Sequence, residues 1–179
     1  MFEGWDSFYL LIGGAAGALI GLLFVVATLT GNVGREQAMR GAQIYMTPTV
    51  FHFAVVLVTS ALTAVPHLPQ EAAAVAVAVL ATLGLAYGLN VCWMLRTKRV
   101  TPEAPHWTDF WCYGVWPTTA YLAMLAAAWT LQMRETWAPD ALGAVVIALL
   151  LLGIRNAWDL VTWLAPTAKE AEARRAPPT

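Results

Sequence analysis

The stretch Ala141-Leu-Gly-Ala-Val-Val-Ile-Ala-Leu-Leu-Leu-Leu-Gly-Ile-Arg-Asn-Ala-Trp-Asp159 decides the class of this chain. It is an apolar run of membrane-spanning length that passes without a break into a polar and charged turn. A charge inside such a segment costs about 2.5–3.5 kcal/mol on insertion scales unless protein or water receives it. Arg155 and Asp159, one helical turn apart, therefore need a structural or functional reason to be there.

Working outward, the composition agrees. Hydrophobic residues make up 59% of the 179 and charged residues 12%, with a mean hydropathy of +0.62, which leaves too little polar surface to cover a water-soluble globule. The expected fold is all-α, a polytopic membrane bundle of about five helices. Runs of about 20 apolar residues, the length that crosses a ~30 Å hydrocarbon core, fall at residues 7–30, 48–66, 71–95, 110–133 and 141–164. Thr47-Pro48, Thr108-Asp109 and Asp140 supply start signals, and Pro66, Pro69 and Pro166 fall where helices should stop. Residues 1–166 read as one transmembrane domain and 167–179 as a charged, proline-rich cytoplasmic tail. A short surface helix is expected around Arg35 to Arg40. The acidic start Met1-Phe-Glu-Gly-Trp-Asp6 and the length of the first run argue against a cleaved signal peptide.

Loop charge sets the expected orientation. Arg35, Arg40, Arg96, Lys98, Arg99, Lys169, Arg174 and Arg175 fall on one side of five spans, and only Arg134 on the other. By the positive-inside rule the N-terminus is outside and the C-terminus cytoplasmic, in the cell's inner (plasma) membrane. Trp5, Trp129 and Trp137 then lie near the outer interface, and Trp93, Trp107, Trp111 and Trp163 near the inner one.

Several chemistries are absent. There is no G-x-x-x-x-G-K-[ST], no H-E-x-x-H and no lysine inside a span, which sets aside nucleotide hydrolysis, zinc proteolysis and a retinal Schiff base. Cys92 and Cys112 lack C-x-x-C spacing and read as packing residues. His52, His67 and His106 fall at incompatible depths for a bis-histidine haem. No nucleophile and base are paired, no basic patch suits nucleic acid, and the expectation is a non-enzyme with no metal and no cofactor.

What remains are two patterns. Gly13, Gly17 and Gly21 make a G-x-x-x-G-x-x-x-G stripe, a surface for close helix contact either within the subunit or between subunits. Counting ~1.5 Å per residue from the span ends places His52, Asn90, Tyr113 and Asp159 at one level of the cytoplasmic half, with Thr28 nearby and Arg155 and Asn156 about a turn deeper. Pro117 leaves the carbonyl of Tyr113 without its helical donor. This layer reads either as an interhelical clamp, with Arg155 and Asp159 neutralising each other, or as an ion or solute pathway through Arg155, Asp159, Asn156, His52, Asn90 and Tyr113. The expected function is a small homo-oligomeric channel or carrier for an ion or small polar solute. The alternative is a non-transporting assembly or regulatory subunit that binds another membrane protein.

Overall fold

A computed structural model describes residues 2, 4–30, 46–97, 108 and 110–175, the side chains of 29, 30 and 163–175 excepted. The chain is all-helical over these residues: α1 (Asp6–Thr30), α2 (Thr47–Thr63), α3 (Gln70–Arg96), a π-helical turn (Phe110–Val115) running directly into α4 (Trp116–Gln132), and α5 (Ala138–Arg175). Three of these, Asp6–Thr28, Gln70–Arg96 and the Ala138–Thr162 part of α5, are long and apolar enough to cross a membrane. This is a helical membrane protein. Helix α2, with 17 residues, is about 25 Å long at 1.5 Å per residue, and residues 110–132 form one uninterrupted helical path.

Packing follows chain order. α1 pairs with α2, α3 pairs most extensively with α4, and α5 lies against α1, α2 and α4, closing the two hairpins into a bundle. Phe53, Val56, Tyr121, Met124, Leu131, Leu142, Val146 and Leu149 are fully buried at its centre, while Leu10, Leu11, Leu22, Phe24, Leu83, Leu122 and Leu151 are exposed. Large apolar side chains on the outside suit hydrocarbon surroundings, where exposing them carries no penalty. Trp93, Trp111, Trp129 and Trp137 are also exposed, towards the ends of their helices.

The α3–α4 contact depends on glycine. A Cβ at Gly84 would collide with the Tyr121 ring, and one at Gly88 with the Thr118 hydroxyl. This i, i+4 pair is the small-x-x-x-small surface that brings two helices together within the subunit. The Gly13, Gly17, Gly21 stripe divides instead. Gly13 is buried, its missing Cβ replaced by Ser60 of α2 at 2.9 Å, whereas around Gly17 and Gly21, and around Gly14, a Cβ would meet nothing within 4 Å.

Some boundaries differ from expectation. Thr47 is the first helical residue and not the cap: Met46 holds that position, with no side-chain bond, and Pro48 sits in the first turn. Asp140 lies inside the first turn of α5, which starts at Ala138. Pro69 immediately precedes α3 and starts it. Pro166 does not end α5, whose backbone stays helical to Arg175. An interior proline forfeits one backbone bond and adds a clash, and a helix can bend through it. The expected tail is thus helical over 167–175. The surface helix expected at Arg35 to Arg40, and Asp109, lie outside the described residues.

Two turns use the left-handed region without glycine, at His67 (φ 56°) and Arg134 (φ 59°). They sit at the same end of the bundle, where Gln70 Nε2 donates to the carbonyl of Leu131 at 2.7 Å and Arg134 pairs with Glu71 at 3.2 Å. That ion pair is exposed on both sides and worth little. The amide bond to a backbone acceptor ties α3 to α4.

Candidate functional site

The polar layer expected in the cytoplasmic half separates into two nodes and three outlying groups. The first node begins with the π-turn. In an i→i+5 pattern the carbonyl of Cys112 looks to residue 117, which is proline and has no N–H to give. Asn156, fully buried on α5, supplies the donor: its Nδ2 bonds the Cys112 carbonyl at 3.2 Å, and the buried Tyr113 hydroxyl donates to the Asn156 carbonyl at 3.0 Å. The neighbouring carbonyls of Gly114 and Val115 accept from the hydroxyls of Thr118 and Thr119, at 2.7 and 3.0 Å. The irregular start of α4 is therefore a fixed polar joint between α4 and α5. Pro117 frees the Cys112 carbonyl where the regular helical pattern pointed to that of Tyr113.

Arg155 and Asp159 belong to the other face of α5. They pair at 3.0 Å with side chains 43% and 42% exposed, beside Ile154 and Trp158, which are also exposed. Arg155 also reaches Asn156 Oδ1 at 3.4 Å. The charged pair looks away from the bundle interior, and only Asn156 of this turn looks in. Asn90 also faces outward, donating to Met94 Sδ at 3.6 Å on its own helix. Thr28 is exposed and bonds its own Val25 carbonyl. Neither joins the layer.

The second node is His52. It is 1% exposed, and its Nδ1 shares a 2.8 Å hydrogen bond with the Tyr121 hydroxyl across from α4. Tyr121 reaches this depth because its side chain leans towards the N-terminus of α4 and its ring lies on Gly84. The Phe51 and Tyr121 rings lie 6.3 and 5.6 Å from the imidazole, and Phe51 in turn meets the Tyr87 ring of α3 at 4.8 Å. Its Nε2 is buried with no hydrogen-bond partner.

His52 is one of a series. Thr49, His52, Thr59 and Ser60 are the buried polar residues of α2, and their spacing puts them along its inward face. Among the described residues, the buried side-chain polar atoms without a partner are His52 Nε2, Thr59 Oγ1, Ser60 Oγ and the Tyr9 hydroxyl of α1. At the far end of this face Thr63 lines a cleft of about 470 Å³ that also takes in Asp6, His67 and Gln70. Phe2, another lining residue, stacks edge-on against Tyr9 at 5.8 Å. Polar groups thus line this face from an open cleft to Thr59 and again at His52, with the fully buried Val56 and Phe53 between them.

Depth counting identified His52 but not Tyr121, Tyr9, Thr59 or Ser60. The signal was present in the seven-residue step from His52 to Thr59, which returns to the same helix face after two turns. No group of three or more histidine, cysteine, aspartate or glutamate side chains among the described residues could hold a metal. The sequence matches no protein-family model, and neither a curated protein nor a solved structure is significantly similar to it.

Proposed function

We propose that this chain is a five-span protein of the inner (plasma) membrane, N-terminus outside and C-terminus cytoplasmic, that conducts or carries an ion or small polar solute along the inward face of α2. One observation carries this reading: four buried polar atoms, on His52, Thr59, Ser60 and Tyr9, have no hydrogen-bond partner, whereas the Asn156 amide and the Tyr113 hydroxyl are bonded. Each such group costs about 1–3 kcal/mol when left unsatisfied. A scaffold built only for packing would place alanine or valine there. Water or a transported species moving along the face would satisfy them in turn, and the cleft at Thr63 gives it an entrance. The excess of lysine and arginine on one side supports the orientation.

A second reading is favoured by the outward groups. Arg155 and Asp159 at the bundle surface, and Gly14, Gly17 and Gly21 with open space around them, suit contact with another copy of the chain or with a different membrane protein. In that reading the chain is an assembly or regulatory subunit. Purified protein in liposomes, assayed for flux of protons, potassium, sodium, chloride and small neutral solutes, separates the two. Flux of any of these supports transport. A flux-silent protein that co-purifies with a second membrane protein supports the subunit reading.

A further inference from the structure

We infer that the species moved is the proton and that His52, held by Tyr121, is the group that carries it across the narrowest level of the bundle. This rests on the transport reading and specifies its substrate. The first ground is steric. Between Thr59 and His52, seven residues or about 10 Å along the helix, the interior is filled by Val56 and Phe53, both fully buried. The Phe53 ring is seated where Gly153 of α5 lacks a Cβ, so it has little room to move aside. A hydrated ion or a solute would have to displace this collar, whereas a proton needs only a transient file of water bonded to the orphaned groups.

The second ground is chemical. Hydroxyls and an imidazole both give and accept protons, and none of the four groups carries the fixed charge that would hold a metal cation or an anion. Of those along the α2 face, His52 alone has two ring nitrogens, one of which can take a proton while the other gives one. The groups that face it are the hydroxyl of Tyr121 and, beyond the Phe51 ring, Tyr87. Arg155 and Asp159 lie on the outward face of α5.

The third ground is the arrangement of the ring. With Nδ1–H donating to the Tyr121 oxygen, Nε2 keeps its lone pair, buried and without a partner. A proton delivered there by water gives the imidazolium. The Nδ1 proton then passes to the Tyr121 oxygen as Tyr121 releases its own hydroxyl proton to water on the cytoplasmic side. This leaves the neutral ring in its other tautomer, Nε2–H, with Tyr121 now donating to Nδ1. One proton has crossed and no net charge remains. The site resets when the ring turns about its Cβ–Cγ bond, so that Nε2–H gives its proton on the Tyr121 side and Nδ1 takes one from the side of entry. A reset through the unrotated ring would return the proton and cancel the step.

The test is potassium-diffusion-driven proton uptake into liposomes, followed with an internal pH dye, for the wild type, His52→Phe, His52→Gln and Tyr121→Phe. His52→Phe and His52→Gln should lose about a hundredfold in proton flux, within the range by which positioned acid–base groups act. Tyr121→Phe, which keeps the ring but frees Nδ1, should lose less and change the pH profile. Folded His52 variants that conduct protons like the wild type overturn the inference. Wild-type flux of potassium, sodium or a solute without protons overturns it while leaving the transport reading in place, and no flux of any species ends both. If the His52 variants do not fold, nitrogen NMR of histidine-labelled wild type decides: a His52 ring exchanging between tautomers supports the relay, and one fixed in a single neutral form at every pH where the bundle is folded overturns it.

Discussion

Asn156 gives its side-chain amide to the carbonyl of Cys112 at 3.2 Å, the acceptor that Pro117 cannot serve. Loss of that donor strands a carbonyl in a nonpolar setting. Asn156→Leu should therefore cost about 1–3 kcal/mol, measured by denaturant titration in detergent micelles. Pro117→Ala restores a backbone N–H, so the double variant should lose less than the sum of the singles. Strict additivity would mean that the two residues do not serve the same carbonyl.

Gly84 and Gly17 make a matched pair of opposite character. Gly84→Ala places a methyl group against the Tyr121 ring and should cost about 1–3 kcal/mol or more, as overpacked cores do, with loss of the α3–α4 contact. Gly17→Ala meets nothing within 4 Å and should leave the stability of the subunit within about 0.5 kcal/mol of wild type. Thermal unfolding in one detergent compares them. A drop in oligomer mass with Gly17→Leu, without loss of folded protein, would place the outer glycine face at a subunit contact.

Arg155 and Asp159 are each more than two-fifths exposed, which limits the strength of their attraction. Replacing both with leucine should change stability by no more than about 1 kcal/mol, the scale of half-exposed pairs, by the same thermal measurement. A loss of about 3–5 kcal/mol on removing one of them alone would instead mark a pair enclosed by a neighbouring subunit.

Orientation is checked with single cysteines on a cysteine-free background. Pro66→Cys and Thr136→Cys, at exposed turns, should react with an impermeant reagent added outside, and Thr97→Cys only after the membrane is opened. The reverse pattern would invert the bundle.

The apolar runs placed the first four helices and the start of the fifth to within a few residues, because a segment that must satisfy its own backbone in hydrocarbon has little alternative to a helix. Helix α5, however, runs on past residue 164 to Arg175. Pro48 marked a start correctly, since proline fits a first turn, whereas Pro69, expected at a helix stop, is the residue from which α3 starts. Pro166 misled for the converse reason, that a proline inside a long helix bends it without ending it. Counting residues from span ends put His52, Tyr113, Asn90 and Asp159 at one depth, but depth carries no information about rotation. In the bundle Asn90 and Asp159 turn outward, Tyr113 turns to Asn156, and His52 turns to Tyr121, a partner on another helix that no local spacing reveals. The Gly84 and Gly88 contact carries the same spacing as the first-span stripe, and only packing shows which one is filled.

The central claim, that the inward face of α2 is the path, is tested most directly by comparing proton flux through two double variants in the same liposomes. Thr59→Val with Ser60→Ala removes two of the orphaned hydroxyls and keeps their approximate volumes. Arg155→Leu with Asp159→Leu removes the outward charges. The account predicts that the first variant remains folded and loses at least about tenfold in flux, in line with losing positioned proton-transfer groups, while the second conducts like the wild type. Full flux through the hydroxyl variant together with loss through the charge variant would contradict it and move the path to the surface of α5.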